Sequence, residues 1–505
     1  ILPSTSEFVG TVRDLTSIAN QKTQDGSRSA LGNAYNPVCL DALEGKDFKI
    51  TRVLEFSPNE QRAFGVEEAV KPIQLDVRCS PGEEIVMLSY EDGVWSWHFK
   101  DEEASSRNLI TSDDRRQIHS FSVPFKVQDR TTRGVWSKII HVIAFAKDWI
   151  QDGSSAAIHK MLREFEGEKI KEGFKLIEHS KGFIEGLTKA SPIEDWGSIK
   201  DMIKDKRNAL LFIHGTGSSL EGGYAHVPPK ILEALKTKYP LILGYDHFTL
   251  SKTPEENAND MLKILRDSDL LSTGLKFDVI THSRGGLVAR SFVELCSGQT
   301  NVDSATMVAC PAGGTNLANP GKWDSLANMI NLLTNVFFFT GGAPLKIFFS
   351  FVGGLIKFAS AKLKEPEAIP GVWAMNPNSD FIKNLNGKGN KIIGGAVTYN
   401  TIRSDFEPSG ISHGGIKDDV ADKIADAFFG DPNDLIVDTE KMIVEWPKGI
   451  KSGEDFKYEP QDQVYHLNYF KQAETYRKFS DIFKVDLGTV IQECISLNQL
   501  DDKQA

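Results

Sequence analysis

The 505 residues, 40% hydrophobic and 25% charged, have the composition of a soluble globular protein with room for two to four domains of ~100–200 residues. A formal net charge of −11 with no long basic run excludes a nucleic-acid binder, which needs Lys and Arg clustered against phosphates. Five cysteines, Cys39, Cys79, Cys296, Cys310 and Cys494, are far apart and form no CxxC pair, so neither a disulfide framework nor a zinc site is expected. Reduced thiols of this kind fit a cytoplasmic compartment. The chain starts at Ile1 with no signal peptide among its residues, and a secreted protein or a delivered effector that has been trimmed stays open.

Residues 1 to about 70 are polar and irregular, without a sustained period. From Ile73 the pattern changes: Ile73, Leu75, Val77 and Cys79 alternate with polar residues, and Ile85-Val86-Met87-Leu88 leads across Asp92-Gly93 to Trp95, Trp97 and Phe99. Alternation on both sides of an Asp-Gly turn predicts a β-hairpin, and Phe121, Val123, Phe125 and Val127 predict another strand. A small β-rich domain over 1–133 is expected. Trp95 and Trp97 share a strand face, where aromatics are more often core than sugar platforms, so this module is assigned no chemistry.

A helical connector is expected over 134–204. Ile139, Ile140, Val142, Ile143, Phe145 and Ala146 form one wide apolar face, and Ile158, Met161, Leu162 and Phe165 form another, with charged residues between.

The remainder, 205–505, alternates strands with helices. Asn208 to Ile213 is a buried-strand run that ends in His214-Gly215-Thr216-Gly217-Ser218-Ser219. A helix over Ile231 to Lys238, a strand over Leu241 to Tyr245 and a helix over Asn257 to Leu265 come next. Then Lys276 to Arg290 reads KFDVITHSRGGLVAR: Phe277, Val279 and Ile280 form a buried strand, and Gly285-Gly286 opens a helix with Leu287, Val288, Phe292 and Leu295 on its apolar side. Ser283 sits at the turn between them. A sharp strand-to-helix turn exposes a hydroxyl above the sheet, as a nucleophile elbow requires, with Thr281 standing where the usual motif has its first glycine. The glycine-rich loop after Ile213 can aim backbone N–H groups at a developing oxyanion; no lysine follows to make it a phosphate-binding loop, and no dinucleotide fingerprint is present.

Together, strand–HGTGSS, strand–THSRGGLVAR, the stretch Ala309 to Ala318 and the stretch Pro370 to Ser379 resemble the α/β-hydrolase fold, specifically its bacterial lipase and lipase-like esterase branch, over about Arg207 to Phe470. The resemblance implies a mostly parallel sheet with helices on both faces and a helical lid inserted at about 316–368, beside the small β-rich domain and the helical connector.

A serine hydroxyl needs an imidazole to take its proton and a carboxylate to orient that imidazole, and in this fold the chain order is Ser, acid, His. Asp431 to Val437 resembles the family's acid loop, which implies Asp434 with Asp431 and Asp438 as alternatives; Gln463 to Phe470 resembles its histidine loop, which implies His466. His413 precedes Asp434 and breaks the order, His282 points away from the nucleophile in such elbows, and the family uses His214 structurally. The implied roles are Ser283 as nucleophile, His466 as base and Asp434 as its orienter. The resemblance also implies the backbone N–H groups of Thr216 and Arg284 as oxyanion donors, with Gly215, Gly217, Gly285 and Gly286 allowing the close turns. No metal or cofactor is required.

Between Ser325 and Leu345 there is no charged residue, and Asn335-Val336-Phe337-Phe338-Phe339 is followed by Ile347-Phe348-Phe349. About 20 apolar residues can span a bilayer. Asn328, Asn331 and Asn335, at i, i+3 and i+7, make a polar stripe that fits amphipathic lid helices better. Such a lid makes an ester or lipid the expected substrate, long-chain and small acyl groups both being open, with transient membrane-surface contact through the lid. Oligomeric state is not readable.

Overall fold

A computed structural model describes residues 2–3, 10–19, 48–58, 73–91, 94–98, 117–123, 138–146, 159, 162–163, 166–167, 170–178, 180–183, 191–203, 208–319, 368–387, 397–407 and 432–502. The described residues up to 163 form one compact unit, and those from 166 to 319 and from 369 onward form another. The lid expected at about 316–368 lies outside the described residues except at its two ends, as do His413 and Asp431.

The first unit is two antiparallel sheets. β1 (Leu2–Pro3), β4 (Ile73–Cys79) and β7 (Gln117–Val123) make a three-stranded sheet in the order β1-β4-β7. β2 (Gly10–Asp14), β3 (Phe48–Pro58), β5 (Glu83–Glu91), β6 (Val94–His98) and β8 (Lys138–Ala146) make a five-stranded sheet in the order β2-β3-β8-β5-β6. The alternation in β4 puts Ile73, Leu75, Val77 and Cys79 inward, where they meet Phe121, Phe56, Met87 and Val142 in one core. β5 and β6 pair antiparallel, Glu91 with Val94 and Met87 with His98.

Two expectations are corrected here. The run Lys138–Ala146 is not a connector helix but β8, paired on both sides by β3 and β5. A central strand buried on both faces loses the period of two, and a short apolar run then has no period that separates strand from helix; the β-branched Ile139, Ile140, Val142 and Ile143 favour the strand. Nor is the first stretch irregular throughout, because Phe48–Pro58 is an eleven-residue strand. A register shift falls between Ile50 and Arg52, and Val53, Leu54, Glu55 and Phe56 beyond it are all buried, so the strand shows no alternation.

The second unit is built on a seven-stranded sheet: β9 (Gly173–Leu176), β10 (Asn208–Ile213), β11 (Leu241–Asp246), β12 (Lys276–His282), β13 (Val302–Val308), β14 (Thr398–Ser404) and β15 (Lys451–Tyr458), in the order β15-β14-β13-β12-β10-β11-β9. All pairs are parallel except β11 with β9. β9 is a second correction to the helical connector: Gly173–Leu176 belongs to this sheet as its antiparallel edge. The helices that cover the sheet include α1 (Leu220–Tyr224), α2 (Pro229–Leu235), α3 (Pro254–Asp267), α4 (Gly285–Glu294), α5 (Asp380–Asn386), α6 (Ala473–Phe483) and α7 (Gly488–Ser496). α3 starts three residues before the expected Asn257: Thr253 caps the Glu256 N–H, Glu256 returns a bond to the Thr253 N–H, and Pro254 supplies the fixed φ of the first turn.

All ten residues of α4 are buried, so the helix behind the elbow is core on every side. Parallel register sets Ile213 beside both Tyr245 and Thr281, and His282 beside Val308. The carboxyl ends of β10, β12 and β13 therefore share one edge of the sheet, where ligand crevices form in open parallel sheets. Among the described residues no helix is long and apolar enough to cross a membrane. Cys79, Cys296, Cys310 and Cys494 are buried.

Candidate active site

Ser283 stands immediately past β12 with φ at +53°, a left-handed conformation that costs energy in any residue but glycine, Asn or Asp. Its neighbours make that turn possible. A Cβ on Gly285 would collide with the carbonyl oxygens of Ile213 and His214, and one on Gly286 with the Cys310 thiol. One on Gly215 would lie 2.8 Å from the Ser283 Cβ. The glycine-rich loop thus presses directly on the elbow. Thr281, in the first-glycine position, is fully buried and turns its hydroxyl toward the Thr306 carbonyl at 3.5 Å.

His466 Nε2 lies 2.9 Å from Ser283 Oγ, and its Nδ1 lies 2.8 Å from Asp434 Oδ2. These three residues follow β12, β14 and β15 in the chain, brought together over separations of up to 183 residues. Asp434 is fully buried, and its carboxylate is held from several sides: Oδ1 accepts the N–H groups of Ile436 at 3.1 Å and Val437 at 2.9 Å. The Tyr469 hydroxyl, which burial keeps protonated, bridges Ser404 Oγ at 2.8 Å and Asp434 Oδ2 at 3.2 Å. His466 also donates its backbone N–H to the Asp434 carbonyl at 3.0 Å. The alternative Asp438 points elsewhere, with Oδ2 on Lys441 Nζ at 2.7 Å and on Asn316 Nδ2 at 3.2 Å.

The other histidines separate by partner. His282 bonds the His466 carbonyl through Nε2 at 2.8 Å; burial, then the neighbouring His466, brings its pKa down to about 3, so it donates as a neutral ring. His214 is fully buried, with Nδ1 on the Gly215 carbonyl at 3.0 Å and Nε2 accepting the His247 N–H at 3.2 Å. Burial lowers its pKa more than the nearby Asp246 raises it. Both rings hold backbone in place. Burial pushes the Cys310 thiol up to about 12, which removes it as a rival nucleophile.

The N–H groups of Thr216 and Arg284 donate to no acceptor among the described residues. Gly217 N–H, one residue on, is committed to Thr249 Oγ1 at 2.9 Å. The Thr216 hydroxyl meets Met375 Sδ at 3.5 Å, in the stretch Pro370 to Ser379. Sequence reasoning named Ser283, Asp434, His466, Thr216, Arg284 and the four glycines. It assigned nothing to Tyr469 or Met375, although they sit in the quoted histidine loop and the quoted stretch Pro370 to Ser379, and it had no signal for Thr249.

A parallel sheet of this strand order, with a serine elbow after its central strand, an acid after the penultimate strand and a histidine after the last, defines the α/β-hydrolase fold. Residues 184–484 match the family described as a domain of unknown function, DUF7379, and the chain belongs to it. Residues 11–143 match a second domain of unknown function, DUF7362. Comparison with the curated proteins finds no match.

Among solved structures, the mature Bacillus licheniformis lipase BlEst2 is 15% identical, with 55% of this chain and 92% of that one covered and a TM-score of 0.36. Phospholipase PlaB from Legionella pneumophila is 17% identical over 47% of this chain and 45% of that one, with a TM-score of 0.31. The hydrolase olei00960 from Oleispira antarctica is 14% identical over 56% and 97%, with a TM-score of 0.33. The strand order and the elbow, not these likenesses, define the fold.

Proposed function

We propose that the protein is a serine hydrolase that cleaves carboxylic esters through an acyl-enzyme, of lipase or esterase type. The observation that carries the reading is the unbroken line from Asp434 through His466 to Ser283, at 2.8 and 2.9 Å. A hydroxyl, an imidazole and a carboxylate in that order can move a proton from nucleophile to leaving group. In the first step Ser283 Oγ attacks the carbonyl carbon while His466 takes its proton. Asp434 holds the ring with N–H at Nδ1 and stabilises the cation that forms. The carbonyl oxygen, now negative, is taken up by the N–H groups of Thr216 and Arg284, and His466 then protonates the departing alcohol. Water repeats the sequence on the acyl-enzyme.

The substrate reading is an ester with an apolar acyl group lodged under a lid at about 316–368, supported by the uncharged, phenylalanine-rich run Ser325 to Leu345 in the sequence alone. A thioester or amide would use the same residues. A fluorophosphonate probe tests the chemistry: the parent protein labels at Ser283 and the Ser283→Ala variant does not. Absence of labelling in the parent would make the fold a scaffold rather than an enzyme. A p-nitrophenyl ester series tests the acyl group, since rates that peak at acetate would defeat the lipase reading.

A further inference from the structure

Loop 247–251, which follows β11, spends its backbone in an unusual way. Its five consecutive N–H groups all go to side chains: His247 to His214 Nε2 at 3.2 Å, Phe248 to Glu172 Oε1 at 3.0 Å, and the next three to one carboxylate, Glu166. Glu166 is fully buried. Its Oε1 accepts Thr249 N–H at 2.5 Å, Leu250 N–H at 2.8 Å and the Thr249 hydroxyl at 3.2 Å, and its Oε2 accepts the Ser251 N–H at 2.9 Å and hydroxyl at 2.7 Å. A buried carboxylate needs such donors to replace its lost hydration.

A hydroxyl has one hydrogen, and Thr249 spends it on Glu166. Its oxygen is thereby turned to accept the Gly217 N–H at 2.9 Å. Gly217, at φ +63°, is the tight point of the HGTG loop, so this bond fixes the peptide that follows Thr216. Arg284, fully buried after the elbow serine, is stabilised as a cation by the Glu166 charge and bonds the Lys252 carbonyl and Asn257 Oδ1. One carboxylate is therefore linked to both segments that supply the proposed oxyanion donors, to Gly217 through the Thr249 hydroxyl and to Arg284 through its charge.

We propose that Glu166, acting through the Thr249 hydroxyl, is a positioning residue for the oxyanion hole: it locks Gly217 so that the Thr216 N–H faces the carbonyl oxygen of the substrate. The inference rests on the serine-hydrolase reading above. A donor stabilises the transition state only when held where the negative oxygen will be, so loosening the loop lowers turnover and leaves ground-state binding alone.

The test compares Thr249→Val, Thr249→Ser and Glu166→Gln in the full chain, with p-nitrophenyl butyrate as substrate and an alkyl trifluoromethyl ketone as transition-state mimic. Thr249→Val lowers kcat by about tenfold or more with KM within about twofold, and weakens the ketone by the same factor. Thr249→Ser, which restores the hydroxyl, returns both to within roughly threefold of the parent. Adding Thr249→Val to Glu166→Gln costs no further turnover, because the two act in series. Unchanged kcat and ketone affinity in Thr249→Val, or a loss that Thr249→Ser does not reverse, overturns the proposal even if Glu166→Gln fails to fold. A parent protein that neither labels at Ser283 nor turns over esters removes the underlying reading and the proposal with it, an outcome distinct from an active parent matched by Thr249→Val.

Discussion

His282 Nε2 donates to the His466 carbonyl oxygen at 2.8 Å, so the residue before the proposed nucleophile holds the backbone of the proposed base. His282→Phe keeps a ring of similar size but leaves that buried carbonyl unpaired. The expected result is a loss of about tenfold in kcat with little change in KM, since a misplaced base costs most in the transition state. Steady-state kinetics on a short p-nitrophenyl ester check it.

The same residue makes stability depend on acid. The His282 pKa is about 3 folded against an ordinary 6.5, and His226 is brought down to about 4, in both cases chiefly by burial. Below pH 6.5 the unfolded chain takes up protons that the folded chain refuses, so stability falls as pH drops and recovers as it rises. For His282 alone the slope is about 1.4 kcal/mol per pH unit until the folded pKa is reached. Urea midpoints at pH 7 and 5 are expected to show this loss in the parent and a shallower one in His282→Phe.

Asp434→Asn is expected to lower kcat by about 10⁴-fold, because an amide cannot hold the imidazole with its proton on Nδ1. Asp438→Asn, whose carboxylate faces Lys441 and Asn316, should cost far less. Equal losses in the two variants would reassign the acid.

Gly285→Ala places a methyl against the carbonyl oxygens of Ile213 and His214, which the sheet cannot move. A loss of about 1–3 kcal/mol or more is expected by thermal or urea denaturation. Gly313→Ala serves as the control, since its nearest neighbour would be Lys441 at 3.4 Å.

Arg290, four residues before Glu294 on α4, pairs with it through Nε at 2.8 Å and Nη2 at 3.1 Å, both side chains fully buried. Its Nη1 reaches the Ala312 carbonyl at 3.1 Å and Asn386 Oδ1 at 2.9 Å, which ties α4 to the loop after β13 and to α5. Arg290→Met strands a buried carboxylate and is expected to cost about 3–5 kcal/mol, with part of that recovered in the Arg290→Met, Glu294→Leu double variant. Urea denaturation of the three proteins measures both steps.

Local pattern was enough to read the elbow, the glycine-rich loop and the alternation of β4, because each depends on residues within one turn or one strand. The resemblance of two loops to the family's acid and histidine loops, in the order Ser, acid, His, made Asp434 and His466 nameable as candidates, and the structure sets His466 at hydrogen-bond distance from both Asp434 and Ser283. The strand identity of Lys138–Ala146 was hidden by burial on both faces, and that of Phe48–Pro58 by a register shift.

What the amino-acid order determined by itself is therefore the set of short elements and the chemistry each can carry, since steric and periodic rules act between near neighbours. Only the tertiary structure decided which partners those groups meet. Glu166 and Thr249 are 83 positions apart, and His282 and the His466 carbonyl 184 apart. A hydrogen bond across such a distance leaves no spacing in the chain, because the sheet and not the sequence interval brings its two ends together.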